Sequence, residues 1–200
     1  MLQPDFSVFP VLQTPRLTLR RIVAGDVPAY FALRSDPEVA RFTDRPLTKT
    51  TDEIIELLQK IDNGLSSNDA ISWAITLRDS GAFVGVISFW RMQKEHFRAE
   101  IGYSLAKAYW RKGFATESVK AVLGYGFGKM KLHSVEANVN PANQPSIALL
   151  EKCGFTREAY FRENYFFNGT FFDSAIYSLL AQDWASSQDH SVFPDSPNFA

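Results

Sequence analysis

Alternating apolar and polar positions predict a β-strand at residues 16–22, where the sequence is RLTLRRI. Three more runs, rich in β-branched and aromatic residues, follow one another at 71–77, 83–92 and 98–106. Short polar turns, RDSGAF and QKEHF, separate these runs. Consecutive strands joined by short turns pair antiparallel, so we expect a meander in the middle of the chain.

Apolar residues three and four positions apart predict helices between and after these strands. Their approximate bounds are 27–36, 50–64, 114–130 and 143–153. Asp26 is expected to cap the first helix, and Thr50 with Glu53 has the pattern of a capping box for the second. Asn143 is expected to cap the last of them, with Pro145 in its first turn.

The last third of the chain predicts a strand at 133–140 and a long hairpin over 155–184 that turns at Asn168-Gly169. The strand–helix–strand step through 98–140 requires a right-handed crossover, so its two strands should be parallel. The predicted fold class is therefore α/β (α+β), with a mixed, mostly antiparallel seven-stranded sheet and helices on both faces.

The domain organisation follows from where these patterns begin and end. We expect one domain over 14–184, because a chain of 200 residues forms one sizeable core. Residues 1–13 are expected to form an N-terminal extension. The polar, proline-interrupted stretch 185–200 is expected to form a flexible tail.

Composition excludes several functional classes. A net charge of −1 argues against a broad affinity for nucleic acid, and no apolar run approaches the ~18 residues of a membrane span. The single cysteine, Cys153, excludes an intrachain disulfide, and the three histidines lack the spacing of metal ligands. We therefore expect a cytoplasmic protein with no metal and no nucleic-acid or membrane partner.

The stretch YWRKGFATESV at 109–119 combines two cations, a glycine and the start of a helical pattern. Gly113 allows a close backbone approach, and the free N–H groups of a helix N-terminus attract anions. Arg111 and Lys112 add positive charge, although a solvated surface pair explains each of them equally well when taken alone. The turn as a whole predicts a phosphate-bearing ligand at the carboxyl end of the preceding strand.

Six segments occur in the order and spacing of a known family: TPRLTLRRI, DPEV, AEIGYSL, YWRKGFATESV, NPANQPSIALLEKCGF and NGTFFDSAIYSLL. Over about residues 14–181 the chain resembles the GNAT superfamily of N-acetyltransferases. It is most similar to the branch that contains the ribosomal-protein alanine (RimJ/RimL-type) N-acetyltransferases. The resemblance implies a GNAT-like sheet whose central strand pair is splayed, and acetyl-CoA as the co-substrate.

The resemblance also implies which residues bind acetyl-CoA. Trp110, Gly113 and Ala115 stand at the first, fourth and sixth places of the superfamily's pyrophosphate motif. The backbone of 111–116 would then hold the pyrophosphate, and the backbone of 103–106 would line the pantetheine arm. The implied cofactor contacts are Tyr103, Ser104, Leu105, Ala106, Arg111, Lys112, Gly113, Phe114, Ala115, Thr116, Asn138, Asn143 and Ser146. Helix capping alone also explains Asn143.

Transfer of an acetyl group to an amine requires a base for the amine proton and a donor for the developing oxyanion. Glu100 is the first candidate base, and an ion pair with Arg91 is its structural alternative. Glu163 in the final hairpin is the second candidate, for which an exposed strand carboxylate is the alternative. By resemblance, Ser146 is the candidate acid, because Leu150 stands where many members have a tyrosine. Leu105 or a neighbour would supply the oxyanion donor.

The acceptor is left open between a protein N-terminus and a small-molecule amine. Phe42, Trp90 and Tyr165 are candidate acceptor contacts, although core packing explains aromatic strand residues equally well. Asp36, Glu38 and Asp44 would form an acidic lip if the acceptor is cationic, and scattered surface charge is the alternative. The competing function is a non-catalytic acyl-CoA-binding module. The edge of the final hairpin allows for a homodimer.

Overall fold

The computed structural model describes residues 1–43 and 45–188, and within them eight strands form one sheet. Their order across the sheet is β1-β2-β3-β4-β5-β6-β8-β7. The strands are β1 (Leu12–Gln13), β2 (Leu17–Arg21), β3 (Ile71–Leu77), β4 (Phe83–Gln93), β5 (Arg98–Leu105), β6 (Ser134–Val139), β7 (Thr156–Phe167) and β8 (Thr170–Leu180). Neighbours pair antiparallel except β5 and β6, which are parallel. The predicted mixed, mostly antiparallel sheet is confirmed, but with eight strands instead of seven.

The additional strand is β1, a two-residue segment of the predicted N-terminal extension that pairs with β2. It is too short to produce an alternating pattern, which is why the sequence does not indicate it. Leu2 and Phe6 are also buried in the main core, and the Trp73 indole N–H donates to the Pro10 carbonyl at 2.8 Å. Residues 1–13 therefore pack against the sheet.

Helices cover both faces of the sheet, as predicted. They are α1 (Val27–Ser35), α2 (Pro37–Ala40), α3 (Thr51–Ser66), α4 (Phe114–Gly128), α5 (Gln144–Lys152) and α6 (Ala181–Gln188). The larger core joins the sheet to α4 and α5, and the smaller one joins its other face to α1 and α3. We call these the α4 face and the α1 face. Among the described residues, no helix is both long and apolar enough to span a membrane.

The predicted helix caps and helix ends agree with the structure at some positions and differ at others. The Asn143 side chain accepts from the Ser146 N–H, as predicted. The Asp26 carboxylate, in contrast, makes no cap bond to α1, because Arg20 and the Val23 N–H engage it. The helix α3 continues past the predicted stop at residues 63–64, because Leu65 is buried and extends its apolar stripe.

The C-terminal boundary also differs from the expectation. The final hairpin was predicted to run to residue 184, which is wrong: β8 ends at Leu180, and the helix α6 occupies Ala181–Gln188 and reaches into the stretch expected to be a flexible tail. Phe127 of α4 packs against Trp184 of α6, with the ring centroids 6.1 Å apart. Residues 189–200 lie outside the described part of the chain, so the rest of that prediction stays untested.

The parallel strands β5 and β6 pair over only three residues of each strand, 98–100 and 134–136. Beyond Glu100 the strand β5 continues to Leu105, and over these residues it pairs with β4 but no longer with β6. The two strands therefore diverge toward their carboxyl ends, which confirms the splayed central pair. The N-termini of α4 and α5 both follow carboxyl ends of these strands, so the opening and both helix starts lie at the same edge.

Candidate active site

The helix α4 begins with unpaired backbone N–H groups. Gly113 is its N-cap, with φ 81° and ψ −1°, and no side chain caps the helix. Arg111 also has a positive φ, 59°, so the turn is tightly wound. Within the described residues, no N–H of 111–116 donates to a protein acceptor, and the first helical bond runs from the Glu117 N–H to the Gly113 carbonyl. These groups fit an anion such as a pyrophosphate.

A side-chain clasp that the sequence does not indicate holds this turn against the first long strand. The Arg16 guanidinium pairs with Glu117 at 2.6 Å and donates to the Lys112 carbonyl at 3.0 Å. It also covers the Phe114 ring, with 4.6 Å from the guanidinium carbon to the ring centroid. Thr14 donates its hydroxyl proton to the Glu117 carboxylate as well. The clasp fixes the carbonyl side of the turn and leaves its N–H groups free.

The electrostatics of the clasp keep Glu117 ionised. Burial alone would raise the pKa of Glu117, but hydrogen bonds from Thr14 and Arg16 outweigh it and the net pKa is lowered. Because the partners are about a hundred positions apart in the chain, neither residue stands out in the sequence.

The carboxyl end of β5 presents main-chain groups to the opening. The Ala106 N–H donates to the Val84 carbonyl of β4, so alternation along an antiparallel pair turns the backbone of Leu105 and Tyr103 away from β4. The Leu105 carbonyl accepts from the Trp110 indole N–H at 2.7 Å. The Leu105 carbonyl, which was predicted to face the pantetheine, is therefore already hydrogen-bonded to Trp110. The Leu105 N–H, in contrast, points into the opening.

Tyr103 and Ser146 are brought together across the opening. Their hydroxyl oxygens are 2.8 Å apart, although the residues are 43 positions apart in the chain. Asn143 adjoins the pair, since its side chain accepts from the Ser146 N–H. Burial raises the pKa of Tyr103 to about 12, despite the bond from Ser146 that opposes the shift. Tyr103 therefore keeps its proton at neutral pH, and either hydroxyl of the pair can be the donor.

Glu100 lies on the α1 face of the sheet, because strand alternation turns it away from Ala99 and Ile101, which pack in the larger core. Only 9% of its side chain is exposed, and Arg91 donates to it at 3.1 Å. Burial raises the pKa of Glu100, and Arg91 opposes the rise without cancelling it. The ion pair with Arg91 that was the structural alternative is present, and the role of Glu100 as a base stays a prediction.

A bulge in β4 creates this pairing. The register with β5 shifts between Trp90 and Gln93, and Arg91 has a positive φ of 46°. The Arg91 guanidinium then lies over the Trp90 ring, 4.3 Å from its centroid, while also reaching Glu100. The exposed Trp90 is therefore beside the candidate base and does not line the cavity described next.

A cavity of about 560 Å³ lies between the α2 loop and the final hairpin. Phe42 and Tyr165, both predicted acceptor contacts, line it, and Tyr165 stacks on Phe172 at 5.5 Å. Asn140, the residue directly after β6, also lines it, so the cavity reaches the carboxyl edge where β5 and β6 diverge. Its position suits an acceptor that approaches this opening.

The predicted acidic lip does not line this cavity. Glu38 pairs with Lys107, and Asp36 caps α2 by accepting from the Glu38 N–H. Asp44 lies outside the described residues. The structure therefore gives no support to an acidic rim at this cavity from Asp36 or Glu38.

Glu163 lies apart from the opening, whereas Asn138 lies on the part of β6 beyond its last pairing with β5, at Glu136. Glu163 is exposed, has a positive φ of 49°, and lines a separate surface depression with Asp173, to which its N–H donates. Asn138 is exposed on the same face as Glu136, whereas Ala137 and Val139 point into the larger core. Among the described residues no group of three or more metal-ligating side chains occurs.

The sheet opens at its fifth and sixth strands, and the helix that follows begins with amides that are free among the described residues; the comparisons assign this arrangement to a class of transferase. Residues 16–156 match the acetyltransferase (GNAT) domain. An uncharacterized N-acetyltransferase, YoaA of Bacillus subtilis (strain 168), is 36% identical over 173 residues, covering 86% of this chain and 98% of that protein. The chain belongs to the GNAT acetyltransferase family and is an N-acetyltransferase.

Two further comparisons bear on the branch and the fold. The [ribosomal protein uS5]-alanine N-acetyltransferase of Escherichia coli (strain K12) is 29% identical over 107 residues, 53% of this chain and 55% of that protein. This similarity supports the RimJ/RimL-type branch. Spermidine N-acetyltransferase from Vibrio cholerae, solved with CoA and spermine, shares the fold at a TM-score of 0.77 and 24% identity. The superposition covers 86% of this chain and 99% of that one.

Proposed function

We propose that this protein transfers the acetyl group of acetyl-CoA to a primary amine by direct attack in a ternary complex. The observation that carries the proposal is the set of free N–H groups of 111–116, beside an opening between β5 and β6. Gly113 strengthens it, because a side chain there would be strained at φ 81° and would approach the Arg16 guanidinium to 3.3 Å. Acetyl-CoA, when bound, supplies the activated thioester.

The two sheet faces give the chain's own groups different tasks. Glu100 on the α1 face is suited to accept the amine proton, directly or through water, because its raised pKa brings it closer to neutrality than a free carboxylate. The Leu105 N–H, which points into the opening, is suited to donate to the developing oxyanion. Base and oxyanion donor are thus five residues apart on one rigid strand.

The pair Tyr103 and Ser146 is suited to stabilise the sulfur by hydrogen bonding. A thiol has a pKa of about 8.5, whereas burial raises the pKa of Tyr103 to about 12. Full proton transfer from Tyr103 to a thiolate is therefore uphill by about 5 kcal/mol at the roughly 1.4 kcal/mol that each pKa unit represents. A serine hydroxyl is a weaker acid still, so we assign Ser146 the role of an oriented donor in place of the predicted acid.

The test is thiol release from acetyl-CoA with a panel of peptides and small amines, together with calorimetry of CoA binding. Glu100→Gln is expected to lower kcat by roughly 100-fold or more, as loss of a general base does, and to leave the CoA dissociation constant unchanged. Glu163→Gln is the matched control, because it removes the same charge from a carboxylate outside the cavity and should retain activity.

Three results would refute the proposal or one of its parts. Absence of CoA binding would refute the assignment of the α4 amides. Tight CoA binding without turnover across the panel would support the non-catalytic module for this chain, and full activity in Glu100→Gln would exclude Glu100 as the base.

A further inference from the structure

The charges around the acceptor-side cavity have one sign. Among the described residues that line it, the charged ones are Arg41, Arg45 and Lys49. The remaining wall is aromatic or neutral and includes Phe42 and Tyr165. A cavity walled by cations on one side and by rings on the other favours a ligand that carries negative charge.

Arg45 lacks a hydrogen-bond partner within the described residues. Its Nη1 is shut off from solvent and has no acceptor within reach. Burial, and to a smaller extent the nearby Arg34 guanidinium, lowers the pKa of Arg45 to about 10, so the group stays charged at neutral pH. Arg45 as a whole is only partly buried and lines the cavity, so a ligand with negative charge there can supply the counter-charge that the described residues do not.

The neighbouring groups in the described part of the chain do not supply this counter-charge. Arg34 donates through Nε to the Thr48 hydroxyl at 3.3 Å, which ties the cavity loop to α1. The buried Tyr30 lies near both guanidiniums, and burial raises its pKa, so its hydroxyl stays neutral. Among the described residues, these two close guanidiniums and the neutral phenol leave a net positive charge around Arg45, which lines the cavity.

We propose that the acceptor is a primary amine carrying a carboxylate, and that Arg45 binds this carboxylate in the cavity lined by Phe42 and Tyr165. The proposal rests on the acetyl transfer proposed above and narrows its acceptor. The carboxylate has two sources, a free acidic amino acid or an acidic N-terminal segment of a protein. An anionic acceptor also reverses the expectation of a cationic one that the acidic residues of the α2 region suggested.

The test uses the full chain with acetyl-CoA and acceptors that differ in charge alone. The peptide pair is Ala-Asp-Glu-Phe-amide and Ala-Asn-Gln-Phe-amide, the small-molecule pair is glutamate and glutamine amide, and spermidine is the cationic probe. We expect kcat/KM to favour the charged member of a pair by roughly 10- to 100-fold, the range of a hydrogen bond to a charged group. Preference confined to the peptide pair indicates a protein N-terminus, and preference confined to glutamate indicates an amino acid.

Arg45→Met tests the assigned residue. The charge preference should collapse toward unity, mainly through KM, whereas Arg45→Lys should retain part of it. The variant is expected to fold with an unchanged or higher unfolding midpoint, because it removes a guanidinium nitrogen that is buried without a hydrogen-bond partner. Lys60→Met, an exposed cation of α3 that does not line the cavity, makes the same change in net charge and should keep the preference.

The outcomes separate the two proposals. Turnover with equal rates for both members of each pair, or with spermidine preferred, overturns the carboxylate assignment and leaves acetyl transfer intact. A charge preference that survives Arg45→Met overturns the role of Arg45. Absence of turnover with every acceptor, in protein that binds CoA, overturns both proposals.

Discussion

The strands β4 and β5 approach closely at Gly85, so a substitution of Gly85 tests whether the Leu105 N–H is the oxyanion donor. Gly85 lies opposite Leu105, directly beside the register shift in β4. A Cβ at this position would be 2.2 Å from the Ser104 carbonyl oxygen and 2.8 Å from the Leu105 Cα. Both are backbone atoms, so rotation of a side chain does not relieve the clash.

The expected effect of Gly85→Ala on rate and stability follows from this contact. Ordinary carbon–oxygen contacts need about 3.3 Å, so Gly85→Ala must displace the end of β5 by about 1 Å. A displacement of about 1 Å in a reacting geometry costs on the order of 100-fold in rate. Overpacking of this kind also costs about 1–3 kcal/mol of unfolding free energy, and each kcal/mol lowers the unfolding midpoint by about 2–4 °C in a protein of this size.

The assay is kcat and KM by thiol release, with calorimetry of CoA binding and thermal unfolding on the same preparations. Gly124→Ala is the control, because a Cβ there has no atom within 4 Å and lies in the α4 helix. It should raise the unfolding free energy by about 0.5–1 kcal/mol and leave kcat unchanged. A Gly85→Ala protein with wild-type kcat would refute the placement of the donor on Leu105.

Three further predictions test other parts of the site. Arg91→Gln should move the acidic limb of the kcat/KM pH profile to higher pH, because Arg91 now opposes the burial that raises the pKa of Glu100; an unmoved limb would argue that another group is the base. Tyr103→Phe should lower kcat by roughly 10-fold with KM retained, as measured by steady-state kinetics, since one hydrogen bond is lost; a change confined to KM would contradict this role. Arg16→Gln should raise the CoA dissociation constant roughly 10-fold in calorimetry, because Glu117 loses its ion pair and its negative charge then lies near the bound anion. Glu117→Gln also opens the clasp but removes this negative charge, so it should raise the dissociation constant less.

Strand and helix positions were predictable wherever the signal is local. The strand predicted at 71–77 has those bounds in the structure, and the turn at Asn168-Gly169 has two positive φ angles, as its sequence requires. The glycine at the start of α4 has the left-handed conformation that favours this residue. Each of these features depends on neighbours within a few positions.

A prediction based on a single residue failed or was incomplete where a residue distant in the chain binds its side chain or where the strand is irregular. Asp26 has the sequence of a helix cap, but Arg20 of β2 takes its carboxylate. Trp110 matches a motif position, yet its bond to the Leu105 carbonyl emerges only when the turn folds back on β5. Glu163 and Tyr165 are two positions apart, but a bulge in β7 leaves only Tyr165 in the cavity.

The sequence by itself determined the order of strands and helices, the free helix N-terminus and the family, because periodicity, capping and turn chemistry are properties of short segments. Only the tertiary structure decided that Tyr103 meets Ser146, that Arg16 clasps Glu117, and that the Arg45 Nη1 has no hydrogen-bond partner among the described residues. Hydrogen bonds and burial depend on distances between atoms of remote segments. No local pattern specifies those distances until the sheet and its two helical layers have assembled.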